Sequence, residues 1–221
     1  MKWVELVNPQ TIPLVALPSE RIAGVDEVGR GALFGPVVAA AVILPAAAIA
    51  PLTAAGVTDS KQLAPAKRQQ LALQIRQLAP VAVGLASVHE IDRINILQAS
   101  IKAMHLAIEK LSIVPELLLI DGNRFVPFLG TPHHCVIGGD GIYNSIAAAS
   151  VLAKTYRDEY MIRLDEEYPH YNWKQNKGYG TLYHRKQIHI HGISPFHRKT
   201  FKVNLDKILE PAMQEEEALQ M

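Results

Sequence analysis

Two apolar runs, separated by an acidic pair and a glycine-framed arginine, constrain the fold of this chain more than any other stretch. Ile22, Ala23 and Val25 read as a buried strand that ends on Asp26-Glu27. Gly29-Arg30-Gly31 follows, and Val37 to Leu44 reads as a second strand. That order sets charge at the mouth of an apolar core. Neighbouring side chains on a regular strand point to opposite faces. Asp26 and Glu27 can therefore share a site only if the backbone turns away near them, which Gly29 and Gly31 permit. The competing reading is a hairpin turn carrying solvent-exposed charge.

The rest of the chain weighs against so plain an account. Pro45 to Gly56 reads as an alanine- and proline-rich connection, and Thr58-Asp59-Ser60-Lys61-Gln62-Leu63 as a helix entry with Asp59 or Ser60 as cap. Helical spacing covers Ala66 to Leu78, and a strand covers Val81 to Val88. From Ile91 to Leu111 an apolar stripe (Ile94, Leu97, Ile101, Met104, Ile108) opposes a charged face at Lys102, Glu109 and Lys110, which predicts a helix packed on the core. Leu117 to Ile120 is a short continuous apolar run ending in Asp121-Gly122-Asn123, the pattern of a strand covered on both faces. A short strand around Cys135 to Ile137 and the segment Gly138-Gly139-Asp140-Gly141 lead into a helix from Ile146 to Glu166. Its first turns (Ala147, Ala148, Ala149, Ala153) are small enough for close packing on a sheet. Alternating strands and helices predict an α/β fold with a mixed sheet. His133 and His134 read as loop residues.

Size and composition narrow the rest. A chain of 221 residues is one domain, with at most a small appendage. The single cysteine, Cys135, cannot form an internal disulfide. Met1 to Gln10 carries Glu5 and lacks the apolar run of a secretory signal. The most apolar segment, Val37 to Leu52, is broken by Pro45 and Pro51 and falls short of the ~20 residues a membrane span needs. A soluble, cytoplasmic, monomeric protein without membrane association is expected. The net charge of +1 is uninformative, but its distribution is not. Between Tyr168 and Leu205 there is no Asp or Glu, whereas Lys174, Lys177, Arg185, Lys186, Arg198, Lys199 and Lys202 all fall there. Tyr171, Trp173, Tyr179, Tyr183, Phe196 and Phe201 are interleaved with them. Such a tract fits phosphates plus stacking on bases or sugars; the alternative is a solvated surface over core aromatics.

Four carboxylates, Asp26, Glu27, Asp121 and Asp140, each lie beside glycine at the edge of an apolar segment. Acids crowded at one edge of a sheet repel and resist desolvation unless something neutralises them. Hard divalent cations do so, and Mg²⁺ or Mn²⁺ prefers oxygen ligands. No Cys/His spacing of the zinc kind occurs. An oxygen-ligand site beside a phosphate-binding surface points to metal-dependent phosphodiester hydrolysis. Singly, Asp121 or Asp140 would be a turn or capping residue. A non-catalytic hybrid-binding module and a glycosidase-like acid pair are the competing classes.

The residues AGVDEVGRG (23–31), DSKQL (59–63), IDG (120–122), GD (139–140), SIAAASVLAKTYRD (145–158), NKGYGT (176–181) and HGISPFHRKTF (191–201) resemble ribonuclease HII, in that family's order and over most of the chain. The resemblance implies a ribonuclease H-like fold, a mixed sheet flanked by helices with a C-terminal helical extension. It divides the chain into an N-terminal extension (1–20), a catalytic domain (21–190) and a C-terminal helical segment with an acidic tail (191–221). It implies endonucleolytic cleavage of RNA in RNA–DNA hybrids, and incision 5′ to single ribonucleotides in duplex DNA that leaves a 3′-hydroxyl and a 5′-phosphate. Asp26, Glu27, Asp121 and Asp140 would be the catalytic acids holding Mn²⁺ or Mg²⁺. Gly29, Arg30 and Gly31 match the loop that reads the ribose 2′-hydroxyl, the group that separates RNA from DNA. Tyr179 matches the tyrosine against the sugar at the RNA–DNA junction, and Ser60 and Lys61 match the phosphate-contacting motif.

Overall fold

The structure, a computed structural model, describes residues 21–203. The expectations for the N-terminal extension and for the acidic tail lie outside the described residues. Strand β1 (Ile22–Val28) is the centre of a five-stranded sheet. It pairs antiparallel with β2 (Val37–Ile43), Ala23 facing Ile43 and Val28 facing Val38. β3 (Val81–Ala86) continues the antiparallel meander. The long helix α3 (Val88–Glu109) then carries the chain back, so β4 (Leu117–Asp121) joins β1 in parallel, with Val25 beside Ile120. β5 (His133–Val136) adds a second parallel pair, giving the order β3-β2-β1-β4-β5. A parallel neighbour requires such a crossover.

Helices cover both faces, which is why β2 is buried at every position. On one side Val25, Ala41, Leu118 and Ile120 pack against Ala99, Ala103, Met104 and Ile108 of α3. On the other, Ala40 and Val42 meet Ala147, Ala148 and Val151 of α4 (Asn144–Glu167), with Leu71 and Ile75 of α2 (Pro65–Leu78). The small residues of α4 do what their size predicts: the helix lies so close to β1 that a Cβ on Gly24 would stand 2.2 Å from the carbonyl carbon of Ser145. A third cluster (Phe34, Met161, Tyr171, Trp173, Ile188) joins the loop after β1 to α4, α5 (Trp173–Asn176) and α6 (Leu182–His191). Among the described residues no helix is long and apolar enough to cross a membrane.

The structure corrects several expectations. Residues 46–54 form helix α1 (Ala46–Ala54), despite Pro51, because alanine favours helix. The entry at Asp59 is a single 3₁₀ turn, Ser60–Gln62, with the Asp59 side chain accepting from the Lys61 amide. Helix α3 bends at Asn95 (φ 66°), whose side chain accepts from the Gln98 amide and restarts the helix. His133 and His134 belong to β5 rather than a loop, and the His133 ring meets Phe125 edge-on, with centroids 5.1 Å apart. Tyr171 and Trp173 are core residues, so part of the basic-aromatic tract is interior. Helix α6 ends at His191, and most of the expected C-terminal segment (191–221) lies outside the described residues.

Gly24→Ala should lower the unfolding free energy by about 1–3 kcal/mol or more, since a methyl group would push α4 off the sheet. Urea denaturation followed by circular dichroism measures the loss.

Candidate active site

β1 does not turn away at its acids. Asp26 and Glu27 are still in ladder register with Ala40 and Ala39. By strand alternation Asp26 lies on the α4 side with Gly24, and Glu27 on the α3 side with Val25. What brings other acids to Asp26 is the parallel neighbour. With Val25 beside Ile120, Asp121 is the next residue of β4, at the same end of the sheet. Asp140 arrives on the 3₁₀ turn Gly139–Gly141, tied to Asp121 because the Gly139 amide donates to Asp121 Oδ1 at 2.8 Å.

The electrostatic shifts follow from this grouping. Burial first, then Glu27, Asp121 and Asp140, hold the Asp26 carboxyl well above the usual carboxylate range, against a stabilising hydrogen bond with Ser150. Glu27 is pushed up to about 7 by burial and by Asp121, although Arg30 opposes the shift through an ion pair at 3.3 Å. Asp140 is raised by burial, Asp121 and Asp59, with Lys61 opposing. Burial works to lower the Lys61 pKa, but Asp59, Asp140, Asp26 and Asp121 together raise it. The four sequence-predicted acids thus sit in one field, and Lys61 stands at its rim.

Among the described residues no group of three or more His, Cys, Asp or Glu side chains stands in the arrangement of a metal-binding cluster. The chemistry of the donor set nonetheless fits a hard cation. The acids are oxygen donors that repel one another, and Asp121 Oδ2 makes no hydrogen bond to another described group.

The other sequence-predicted residues fall around this edge. Gly29 (φ 94°) is buried, while Arg30 and Gly31 are exposed in an eight-residue loop, not a tight hairpin. Gly29 is needed twice over, for its backbone angle and because a Cβ would meet Arg157 Nε at 2.2 Å. Tyr179 is partly buried, with the Arg157 guanidinium 5.6 Å from its ring centroid. Ser60 differs from expectation. Its hydroxyl is buried against Ser150 Oγ at 2.9 Å, which leaves Lys61 as the exposed group of that pair.

Sequence reasoning assigned no role to the groups that hold these parts. Arg68 binds the Ser60 and Leu63 carbonyls at 3.0 Å each and pairs with Asp158 at 2.9 Å. Asp59 was read as a cap only, yet its carboxyl lies near enough to Asp140 to help raise that group. A buried histidine pair supports Tyr179. His184 Nδ1 donates to the Tyr179 carbonyl at 2.9 Å, and its Nε2 accepts from Trp173 Nε1 at 3.0 Å and meets His197 Nε2 at 3.2 Å. Ser194 donates its amide to His197 Nδ1. The pattern is satisfied with both rings neutral, and burial, then His184, pushes His197 down to about 4. The only available signal was that Asp59, Arg157, Asp158, Ser194, His197 and Arg198 lie inside the family-like motifs, whereas Arg68, Trp173 and His184 do not.

Fold and acid edge together define a class, an α/β protein of ribonuclease H-like architecture. The family model described as Ribonuclease HII matches residues 23–204. Ribonuclease HII of Parabacteroides distasonis is 57% identical over 180 residues, covering 81% of this chain and 88% of that protein. The Porphyromonas gingivalis relative is 54% identical over 187 residues, 84% of this chain and 91% of its own length. Among solved structures, the ribonuclease H2 of Pyrococcus horikoshii OT3 superposes with a TM-score of 0.71 at 26% identity, covering 86% of this chain and 98% of that one. The chain belongs to the ribonuclease HII family, whose members are endonucleases of the hydrolase class. Membership sets aside the non-catalytic module and the glycosidase-like pair.

In the absence of divalent cations the crowded carboxyls should make stability fall as pH rises. A carboxyl whose folded pKa is raised contributes stability below its unfolded value and loses it through the folded one. For Glu27 that window runs from about 4.5 to about 7, and Asp26 acts in the same direction. His197, held down to about 4, acts in the opposite direction over the same range, so the carboxyl contribution is read as a difference. In EDTA the urea midpoint of the parent relative to that of Asp26→Asn should fall as pH rises across this window, and a constant difference from pH 4.5 to 7.5 would contradict the field described above.

Proposed function

We propose that this chain hydrolyses the RNA strand of RNA–DNA hybrids and incises 5′ to single ribonucleotides in duplex DNA, leaving a 3′-hydroxyl and a 5′-phosphate. The observation that carries the proposal is the Asp26 carboxyl, raised by burial and by three further acids reaching it from β1, the end of β4 and the turn before α4. Glu27, Asp121 and Asp140 with Asp26 would hold Mg²⁺ or Mn²⁺. Such ions, when bound, supply Lewis-acid stabilisation of the phosphate and an activated water.

The remaining work falls to the chain itself. Lys61, exposed at the rim, is placed to meet a backbone phosphate, and Lys174, Lys186, Lys199 and Lys202 are exposed for sequence-independent contacts. The amides of Arg30 and Gly31 donate to no described group and face solvent, so they are available to a ribose 2′-hydroxyl. A Cβ on Gly31 would meet nothing within 4 Å, which leaves that side open to a sugar. Tyr179 offers a flat ring to the sugar at the junction without reading a base. Weak sequence preference with strict dependence on the sugar follows.

Incubation with Mg²⁺ or Mn²⁺ and a duplex carrying one ribonucleotide tests the reading; intact binding without incision would overturn it. Asp121→Asn should cut the incision rate at least about a hundredfold while duplex affinity stays near that of the parent. Tyr179→Ala should slow junction cleavage more than it weakens binding to plain duplex, and equal losses in both assays would remove its junction role.

A further inference from the structure

Two arginines, Arg157 and Arg198, are buried to 0% and 2% exposure, and neither has a carboxylate within ion-pair distance among the described residues. Burying a guanidinium is costly unless its fork is filled. Here backbone carbonyls fill it. Arg198 donates from Nε to Gly35 at 3.0 Å, from Nη1 to Arg30 at 2.8 Å and from Nη2 to Gly29 at 2.7 Å. Arg157 donates to Pro36 at 3.1 Å, Phe34 at 2.9 Å and Lys177 at 2.8 Å. Five of these six carbonyls belong to the loop between β1 and β2. Arg198 takes the ones nearest Arg30 and Gly31, whose own amides are left facing outward.

Arg198 is itself anchored from a distance. The next two amides, of Lys199 and Thr200, donate to the Asp92 carboxylate at 3.0 Å each, and the Thr200 hydroxyl adds a bond at 2.6 Å. Asp92 sits in the first segment of α3, before the Asn95 bend. Phe201 closes the arrangement, with the Arg198 guanidinium 4.9 Å from its ring centroid. A contiguous chain of contacts therefore runs from a partly buried acid on α3 to the outward amides of the loop.

We propose that Arg198 is a specificity-setting positioning residue: by gathering the carbonyls of Gly29, Arg30 and Gly35 into the interior, it turns the amides of Arg30 and Gly31 toward the sugar that the enzyme reads. Asp92 sets Arg198 in register. The inference rests on the proposed role of this loop as the ribose reader. It assigns Arg198 no contact with substrate and no share in phosphate binding. Lysine cannot replace it, because one ammonium group cannot reach three separately placed carbonyls as a planar fork does.

The test uses the full chain in the Asp121→Asn background with Mg²⁺. Fluorescence anisotropy compares a DNA duplex containing one ribonucleotide with the same duplex in all-DNA form. The parent should prefer the ribonucleotide duplex. Arg198→Lys should reduce that preference about tenfold, the worth of a lost hydrogen bond, with all-DNA affinity and its salt dependence unchanged. Asp92→Ala, a change at a partly buried position that spares the guanidinium, should shift the preference the same way by about threefold. If Arg198→Lys fails to fold, as circular dichroism would show, Asp92→Ala decides. Equal losses on both duplexes, or an undiminished preference, would overturn the positioning role. A parent with no preference would instead overturn the reading of the loop, and the inference with it.

Discussion

The parallel pairing of β1 with β4 is the constraint on which the rest depends. It sets Asp121 next to Asp26 at one end of the sheet, and the Gly139 amide then ties the Asp140 turn to Asp121. Crowding of this kind is unfavourable by itself, and the raised pKa values of Asp26, Glu27 and Asp140 are its signature. The fold tolerates it because the sheet beneath is covered on both faces, by α3 and by an α4 that approaches to backbone contact at Gly24. A rigid, dry platform can hold like charges that a pliable one would let apart.

Around that platform, loops are fixed from inside rather than by their own sequence. Arg68 holds the Ser60–Leu63 turn by its carbonyls, Arg157 and Arg198 hold the loop after β1, and His184 holds the Tyr179 carbonyl. In each case a side chain from α2, α4, α6 or the C-terminal segment spends its donors on backbone oxygens. The amides of Arg30 and Gly31 and the exposed lysines are thereby left to solvent. Function in such a protein falls on loops, and buried donors give those loops a definite shape.

Much of the fold was legible in the residues. The continuous run Leu117–Ile120 marked a buried strand, the small first turns of α4 marked close packing, and Asp26, Glu27, Asp121 and Asp140 were all singled out. What misled was local. Pro45 and Pro51 suggested a connection where alanine built a helix, and adjacent acids on a strand suggested a turn where the ladder simply continues. Tyr171 and Trp173 looked like stacking residues because they alternate with lysines, yet they fill the third core cluster.

The sequence by itself determined the five strands, the helices α2, α3 and α4, and which acids lie at the ends of apolar segments, because periodicity and glycine placement are local properties. Only tertiary structure decided that Asp59 reaches Asp140, that the Ser60 hydroxyl turns inward, and that Arg198 binds the loop around Arg30 from 168 positions away. A buried guanidinium finds its carbonyls through the packing of distant elements, and no spacing along the chain encodes that meeting.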